Sequence, residues 1–167
     1  MIARSYILSN LKLLDNKYRK TTSPKELLFY SKLAILELCG WIEESMDDIV
    51  LRCAMRHLKI MSNKEFVRKQ IVRKNYGFDY DDHFRRMLGQ LIGIINVERL
   101  EKNVDQTKKV RLKAVLSMLK TARNAEAHTH IKGVTRHINA PSITLSQFPD
   151  VSDGLTEYDR VIRNTTL

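Results

Sequence analysis

The chain contains few residues that break helices and few that crosslink chains. Its 167 residues include only three prolines, six glycines and two cysteines, and aromatic residues make up 7%. Such scarcity of helix breakers favours a mostly helical protein. Cys39 and Cys53 lie on one predicted helix, where a rise of about 1.5 Å per residue separates them by roughly 21 Å. That distance excludes a disulfide between them within one chain.

Long hydrophobic runs are missing as well. The N-terminus lacks the apolar core of a signal peptide, and no run is long enough to cross a bilayer. Hydrophobic residues make up 43% and charged residues 29%, which is typical of a globular chain whose length suits one core. We therefore expect a reduced, cytoplasmic protein that does not associate with membranes.

Positive charge is abundant. The formal net charge is +10 and the sequence pI is about 9.7, so the composition favours phosphate-rich partners. One basic segment spans residues 52–74, where Glu65 is the single acidic residue. A second basic segment reaches residue 123 without an acidic residue, and its cations are the predicted RNA-binding residues. They are Lys108, Lys109, Arg111, Lys113 and Lys120.

Aromatic residues follow the first basic segment. Tyr76, Phe78 and Tyr80 alternate along the chain directly after residues 52–74. Aromatic rings of this kind can stack on unpaired bases, and they can equally belong to the core or to a turn.

Hydrophobic periodicity predicts helices over about residues 3–20, 24–60, 62–74, 79–100 and 106–131. A serine followed by proline predicts the start of the second helix, and Gly40 is a point where that helix can bend. The periodicity disappears after residue 131. We therefore predict an all-α, up-and-down bundle of four to five main helices over residues 1–131. Residues 132–167 are predicted to form an irregular segment and a short C-terminal helix, packed on the same domain.

The sequence RNAEAH at residues 123–128 carries the chemistry of the candidate site. RNA supplies its own nucleophile, the 2′-hydroxyl, so its cleavage needs proton transfer and positive charge at the phosphate. His128 suits proton transfer because the ordinary pKa of imidazole is near 6.5. Arg123 suits the phosphate because its planar guanidinium donates several hydrogen bonds at once. Asn124 is predicted to orient His128 or to bind the substrate.

The spacing of these residues limits how they act together. Asn124 and His128 share a helical face, whereas Arg123 and His128 point about 140° apart on a straight helix. Both can reach one substrate if the helix end is distorted, or if two copies of the motif meet. The small Ala125 and Ala127 permit the close approach that the second arrangement requires.

Other catalytic patterns are missing from the chain. No CxxC, HExxH or related spacing predicts a metal site, and neither a glycine-rich phosphate loop nor a GxSxG elbow occurs. We therefore expect no metal and no cofactor.

The RNAEAH motif resembles the Arg-x4–6-His signature of HEPN domains, which are small helical domains found in many prokaryotic toxins and defence ribonucleases. The segment LELCGWIEE at residues 36–44 is similar to the second helix of HEPN proteins related to the RiboL-PSP group. This resemblance implies a metal-independent endoribonuclease in which two motifs build one cleft across a homodimer. It also implies a toxin or phage-defence role, with an antitoxin or inhibitor protein as a possible partner. The alternative is a non-catalytic module that binds nucleic acid or protein.

Glu43 is the predicted supporting residue. HEPN domains often place an acidic or polar residue on an early helix in contact with the motif arginine, and Glu43 flanks the predicted buried stripe of the second helix. It belongs to a run of carboxylates that can instead form a solvated face or pair with the basic helices. Those carboxylates are Glu37, Glu43, Glu44, Asp47 and Asp48.

Overall fold

A computed structural model describes residues 2–127, 130–131 and 137–165. All regular structure in these residues is helical, which confirms the predicted all-α class. The α-helices in chain order are α1 (Ser5–Lys20), α2 (Pro24–His57), α3 (Met61–Phe66), α4 (Arg86–Ile92), α5 (Ile94–Asn103), α6 (Gln106–Ala127) and α7 (Pro141–Asn164). A π-helical segment (Val67–Ile71) and a 3-10 turn (Val72–Lys74) continue α3, and a second π-helical segment (Tyr80–Arg85) leads into α4.

Helix α2 begins where the sequence predicts. The Ser23 hydroxyl accepts a hydrogen bond from the Glu26 backbone N–H at 3.4 Å, and Pro24 occupies the first helical position. The helix then continues for 34 residues to His57, and the possible bend at Gly40 does not interrupt it. Its length lets α2 pack against α1, α6 and α7.

Gly93 divides the helix predicted over residues 79–100. Its φ of 78° lies in the region that glycine adopts without steric cost, and α4 ends there before α5 begins. Because the helix is interrupted at Gly93, the residues of α5 do not face the directions that one continuous helix would give them. Ile95, an apolar residue two positions after Gly93, is 68% exposed. The prediction of one continuous helix over this range is therefore wrong.

The predicted short C-terminal helix is present but is longer than expected, and the prediction of irregular structure is wrong for residues 141–153. Residues 141–164 form the 24-residue α7, which contacts α1, α2, α5 and α6. Pro149 lies inside the helix and has no backbone N–H to donate. Because Pro149 is exposed, water can satisfy the carbonyl group that this N–H would otherwise bind. The apolar residues on the opposite face join the common core. They are Phe148, Val151, Leu155, Tyr158, Val161 and Ile162.

A buried hydrogen-bonded group connects α7 to the segment before α4. The Tyr80 hydroxyl donates to Glu101 Oε1 of α5 at 2.5 Å and lies 2.6 Å from the Tyr158 hydroxyl of α7. Burial raises the pKa of both phenols, so they stay neutral. These contacts fix the π-helical segment over the core. Within the described residues, no helix is both long and apolar enough to span a membrane.

Candidate functional site

Arg123 and Asn124 occupy the last turns of α6 and face different directions. Consecutive residues on a helix point about 100° apart. Arg123 is half-buried on the side where α6 packs against α2, whereas Asn124 is exposed. The Arg123 Nη1 is 3.5 Å from the Asn124 side-chain oxygen, at the outer limit of a hydrogen bond. His128, the predicted proton-transfer residue, lies outside the described residues.

The Cys39 thiol of α2 lies close to Arg123. Burial raises the pKa of this thiol to about 12, while the positive charge of Arg123 lowers it and the negative charge of Glu43 raises it further. The two opposing charges act on one buried thiol, so Arg123 and Glu43 both lie within electrostatic range of Cys39. A thiol with so high a pKa is uncharged near neutral pH and is a poor nucleophile.

Glu43 fixes the loop that follows the 3-10 turn. Its Oε1 accepts a hydrogen bond from the Gly77 backbone N–H at 2.8 Å. Gly77 has a φ of 122°, and a Cβ there would lie 2.8 Å from the His83 ring. No ion pair joins Glu43 to Arg123 among the described residues. Direct contact between them therefore stays a prediction, and the observed role of Glu43 is to hold the Gly77 backbone beside the site.

Asp79 connects the same loop to α6. Its carboxylate accepts hydrogen bonds from the backbone N–H groups of Asp81 and Asp82, both at 2.9 Å, and from Lys120 Nζ at 3.1 Å. Burial opposes the charge of Asp79, but these donors hold its pKa below the usual value. Because Lys120 precedes Arg123 by three residues, the contact places the loop next to the motif.

Two further carboxyl groups have buried oxygen atoms, one on α2 and one in the motif itself, and neither was predicted as a site residue. Asp47 follows Glu43 by one helical turn, and its Oδ1 is buried without a hydrogen-bond partner in the described part of the chain. Burial, together with the charges of Glu43, Asp48 and Glu44, raises the pKa of Asp47 to about 7. Glu126 lies within the RNAEAH motif and is only 5% exposed. Asp47 belongs to the run of carboxylates seen in the sequence, and its four-residue spacing from Glu43 is the signal that could have singled it out.

Substituting Asp47 with asparagine is expected to stabilise the protein at pH 8. The folded-state pKa of about 7 exceeds the ordinary value of 3.8, so the folded protein loses stability as the pH rises through this interval. Asparagine cannot ionise, so it removes this loss of stability. The gain in free energy of unfolding over the wild type therefore shrinks towards zero as the pH falls to about 4. Urea unfolding at both pH values measures the difference. Asp48→Asn is the matched control, because Asp48 is exposed and pairs with Arg52 at 3.3 Å. An equal gain at both pH values would contradict the assignment.

Every cation of the predicted RNA-binding group forms an ion pair with a carboxylate outside α6. Lys108 pairs with Glu157 at 3.6 Å, Lys109 with Glu101 at 3.6 Å, Arg111 with Asp150 at 3.8 Å, Lys113 with Asp81 at 2.7 Å, and Lys120 with Asp79 at 3.1 Å. A phosphate group must compete with these carboxylates for the same donors. The RNA-binding role of these residues stays a prediction, and their observed contacts connect α6 to neighbouring segments.

Apart from Arg111 near its N-terminal end, the outer face of α6 has no charged side chain over about four turns. Exposed residues recur at intervals of three or four positions and are apolar, small or neutral polar. They are Val110, Ala114, Ser117, Met118, Thr121 and Ala125. We call this set the neutral stripe of α6. Asn124 lies at its edge, so the stripe reaches the motif.

Metal ligands are not grouped at this site. Among the described residues, no set of three histidine, cysteine, aspartate or glutamate side chains is arranged to hold a metal ion.

Comparisons with known proteins give no assignment. The chain matches no family model, no curated protein and no solved structure. Any functional assignment therefore depends on the residues of the motif and on the contacts around Arg123.

Proposed function

We propose that the protein is a metal-independent endoribonuclease of the HEPN type. The supporting observation is the environment of Arg123. It is the one cation of α6 without a carboxylate partner in the described part of the chain, and it is half-buried beside Cys39. The donors of a guanidinium in such a position are free to bind a phosphate, and partial exclusion of water strengthens that interaction.

The proposed reaction uses the chemistry of RNA itself. The 2′-oxygen attacks the adjacent phosphorus, the bond from phosphorus to the 5′-oxygen breaks, and a 2′,3′-cyclic phosphate forms. His128 removes the proton of the 2′-hydroxyl, and a second His128, from another copy of the chain, protonates the leaving 5′-oxygen. Arg123 stabilises the charge that accumulates on the phosphate oxygens, and Asn124 orients the substrate or His128.

A second copy of the chain is the proposed occupant of the neutral stripe of α6. The residues of the stripe carry no charge that would repel an identical surface, and Arg111 adjoins it only near the N-terminal end. At about 1.5 Å per residue the stripe extends over roughly 22 Å. Asn124 lies at the edge of this stripe, so pairing of two helices along it would bring the two copies of the motif close together.

The proposed biological role follows from the proposed activity. A ribonuclease without metal dependence is active wherever it folds in the cytoplasm, so cleavage of the host's own RNA would stop growth. Such an enzyme suits a toxin or a phage-defence effector. It also requires restraint, and an antitoxin or inhibitor protein is the partner that we propose for that purpose.

Cleavage of single-stranded RNA in excess EDTA tests the proposed activity. The purified protein is expected to cleave, and the new ends are expected to carry 2′,3′-cyclic phosphate or the phosphates derived from it. End-group analysis by mass spectrometry identifies them. Cleavage that requires added Mg²⁺ would contradict the mechanism. Tight RNA binding without cleavage under any condition would favour the non-catalytic binding module.

Met118→Glu tests the proposed dimer. Met118 is 54% exposed in the neutral stripe, so a two-fold interface there would bring the two new carboxylates into an apolar contact. Sedimentation velocity is expected to show a dimeric wild type and a monomeric variant with reduced cleavage. Leu13→Glu is the matched control, because Leu13 is an equally exposed apolar residue of α1. A monomeric wild type with full activity would exclude the composite site.

A further inference from the structure

Residues 56–76 carry most of the excess positive charge of the protein. This segment includes the end of α2, all of α3, the first π-helical segment and the 3-10 turn. It contains seven basic residues and one acidic residue, a net charge of +6 within a chain whose total is +10. A concentration of this size creates a local field that attracts polyanions.

Most cations of this segment differ from the predicted RNA-binding cations of α6 because they form no ion pair with a carboxylate among the residues that the structure describes. Lys69 pairs with Glu65 at 3.1 Å. The other six form no ion pair with a carboxylate in the described part of the chain. They are Arg56, Lys59, Lys64, Arg68, Arg73 and Lys74. Lys64 is half-buried, and the other five are exposed. A phosphate therefore reaches these side chains without displacing a carboxylate.

Two aromatic side chains project from the same segment. Phe66 is 59% exposed and Tyr76 is 78% exposed. Phe78 and Tyr80, which the sequence offered as alternatives for stacking, are buried in the core. Of these three aromatic residues, Tyr76 is therefore the one whose ring is accessible to a base. We call the six unpaired cations with Phe66 and Tyr76 the 56–76 surface.

Tyr76 connects this surface to the candidate site. It directly precedes Gly77, whose backbone N–H donates to Glu43 at 2.8 Å. Glu43 and Arg123 both act on the Cys39 thiol. The backbone beside Tyr76 is therefore held against α2, the helix that packs on α6.

We propose that the 56–76 surface binds single-stranded RNA and directs it to Arg123. Its cations bind successive phosphates, and Tyr76 and Phe66 stack on unpaired bases. Double-stranded RNA fits less well, because its stacked bases are not accessible to aromatic side chains. The path towards Arg123 rests on the proposed ribonuclease function, whereas binding to the surface does not require cleavage.

An anionic membrane is a weaker candidate for the same surface. Membrane-binding helices insert a continuous apolar face, but the apolar residues Val67, Ile71 and Val72 of this segment are buried in the protein core. Ile60, Met61 and Phe66 are exposed near one end. That small group leaves most of the surface basic, which suits a flexible polyanion.

Binding is measured by fluorescence anisotropy with a labelled 2′-O-methyl oligouridine of about 20 nucleotides. The 2′-O-methyl group removes the nucleophile, so the unmodified protein can be used without cleavage. Arg68→Ser combined with Arg73→Ser is expected to weaken binding. It should also reduce the slope of log affinity against log salt by about 1.4, since each phosphate contact contributes about 0.7 for single strands. The matched control replaces Lys12 and Lys17, two exposed lysines of α1, by serine, and it is expected to change the slope much less.

Tyr76 is tested with a conservative pair of variants. Tyr76→Ala is expected to weaken binding of the single strand by at least about fivefold, the lower end for loss of one stacked base, whereas Tyr76→Phe retains the ring and the affinity. Binding of the matching duplex should be equal for both variants. Equal affinities of the two variants for the single strand would exclude stacking.

Two other results would overturn the proposal. In one, the Lys12 and Lys17 control loses as much affinity as the Arg68 and Arg73 variant. In the other, the protein binds phosphatidylserine vesicles in a manner that Phe66→Ser abolishes, while the RNA affinity does not respond to any substitution in residues 56–76. If the substitutions weaken RNA binding as expected but the protein does not cleave unmodified RNA, the RNA-binding role of this surface is supported and the proposed catalytic function is rejected.

Discussion

Arg123→Ala and His128→Ala are each expected to reduce RNA cleavage by at least about 100-fold, the lower end for loss of a positioned acid–base group or charge stabiliser. The two substitutions remove different contributions. Arg123→Ala removes the half-buried positive charge beside Cys39, and His128→Ala removes the proposed proton carrier. Single-turnover cleavage of a short RNA in EDTA measures both rates. Because the two groups act on one transition state, the double variant is expected to be little slower than either single variant.

Controls separate catalysis from folding and binding. Arg99→Ala is the matched control for charge, since Arg99 is exposed on α5 and has no carboxylate partner among the described residues. It is expected to cleave at the wild-type rate. Circular dichroism and affinity for the 2′-O-methyl RNA should stay unchanged for His128→Ala. Activity that survives both motif substitutions would reject this site. Loss of helicity or of dimer formation would instead assign a structural role to the motif.

Arg123→Lys adds a test of geometry. Lysine keeps the charge but cannot offer the planar pair of donors with which arginine binds a phosphate. If Arg123 contacts the phosphate through both arms, the lysine variant is expected to fall between the wild type and Arg123→Ala. If charge alone is required, its rate should stay near that of the wild type.

The sequence predicted the parts of the fold that depend on local periodicity. The apolar spacing in α1, α2 and α6 and the cap at Ser23 predicted where these helices lie, because those signals are contained within a few turns. It did not predict the break at Gly93, since a single glycine is also tolerated inside helices. It missed the first half of α7 because Pro149 and the polar residues around it resemble a loop. The apolar residues there become informative only once they pack against the other helices.

The candidate site depended still more on tertiary contacts. The sequence identified Arg123, Asn124 and Glu43 from their residue types and positions. It could not indicate that Glu43 binds the Gly77 backbone, because those residues are 34 positions apart. It also predicted the cations of α6 as the RNA-binding group, since the acidic residues that pair with them are distant in sequence. The unpaired basic surface at residues 56–76 therefore became distinct only in the folded chain.

The position of α6 depends on a close approach to α7 at Gly154. A Cβ built on Gly154 would lie 2.7 Å from the Leu112 Cβ of α6, a distance that forces atoms to move. Leu112 is fully buried, so it has little room to adjust. Gly40 offers a contrast within α2, since a Cβ there would have no neighbour within 4 Å. The same substitution at the two glycines should therefore have opposite effects on stability.

Gly154→Ala is expected to lower the free energy of unfolding by about 1–3 kcal/mol, the usual cost of overpacking a core. Gly40→Ala is expected to raise it by about 0.5–1 kcal/mol, because alanine replaces glycine in a helix without a clash. Urea unfolding at one fixed protein concentration measures both changes, with the slopes compared to confirm that each variant unfolds in the same way. Because α6 also carries Arg123, Gly154→Ala should reduce RNA cleavage if the helix shifts to relieve the clash, whereas Gly40→Ala should not. A Gly154→Ala protein more stable than the wild type would show that the contact between α6 and α7 is loose enough to accept a methyl group.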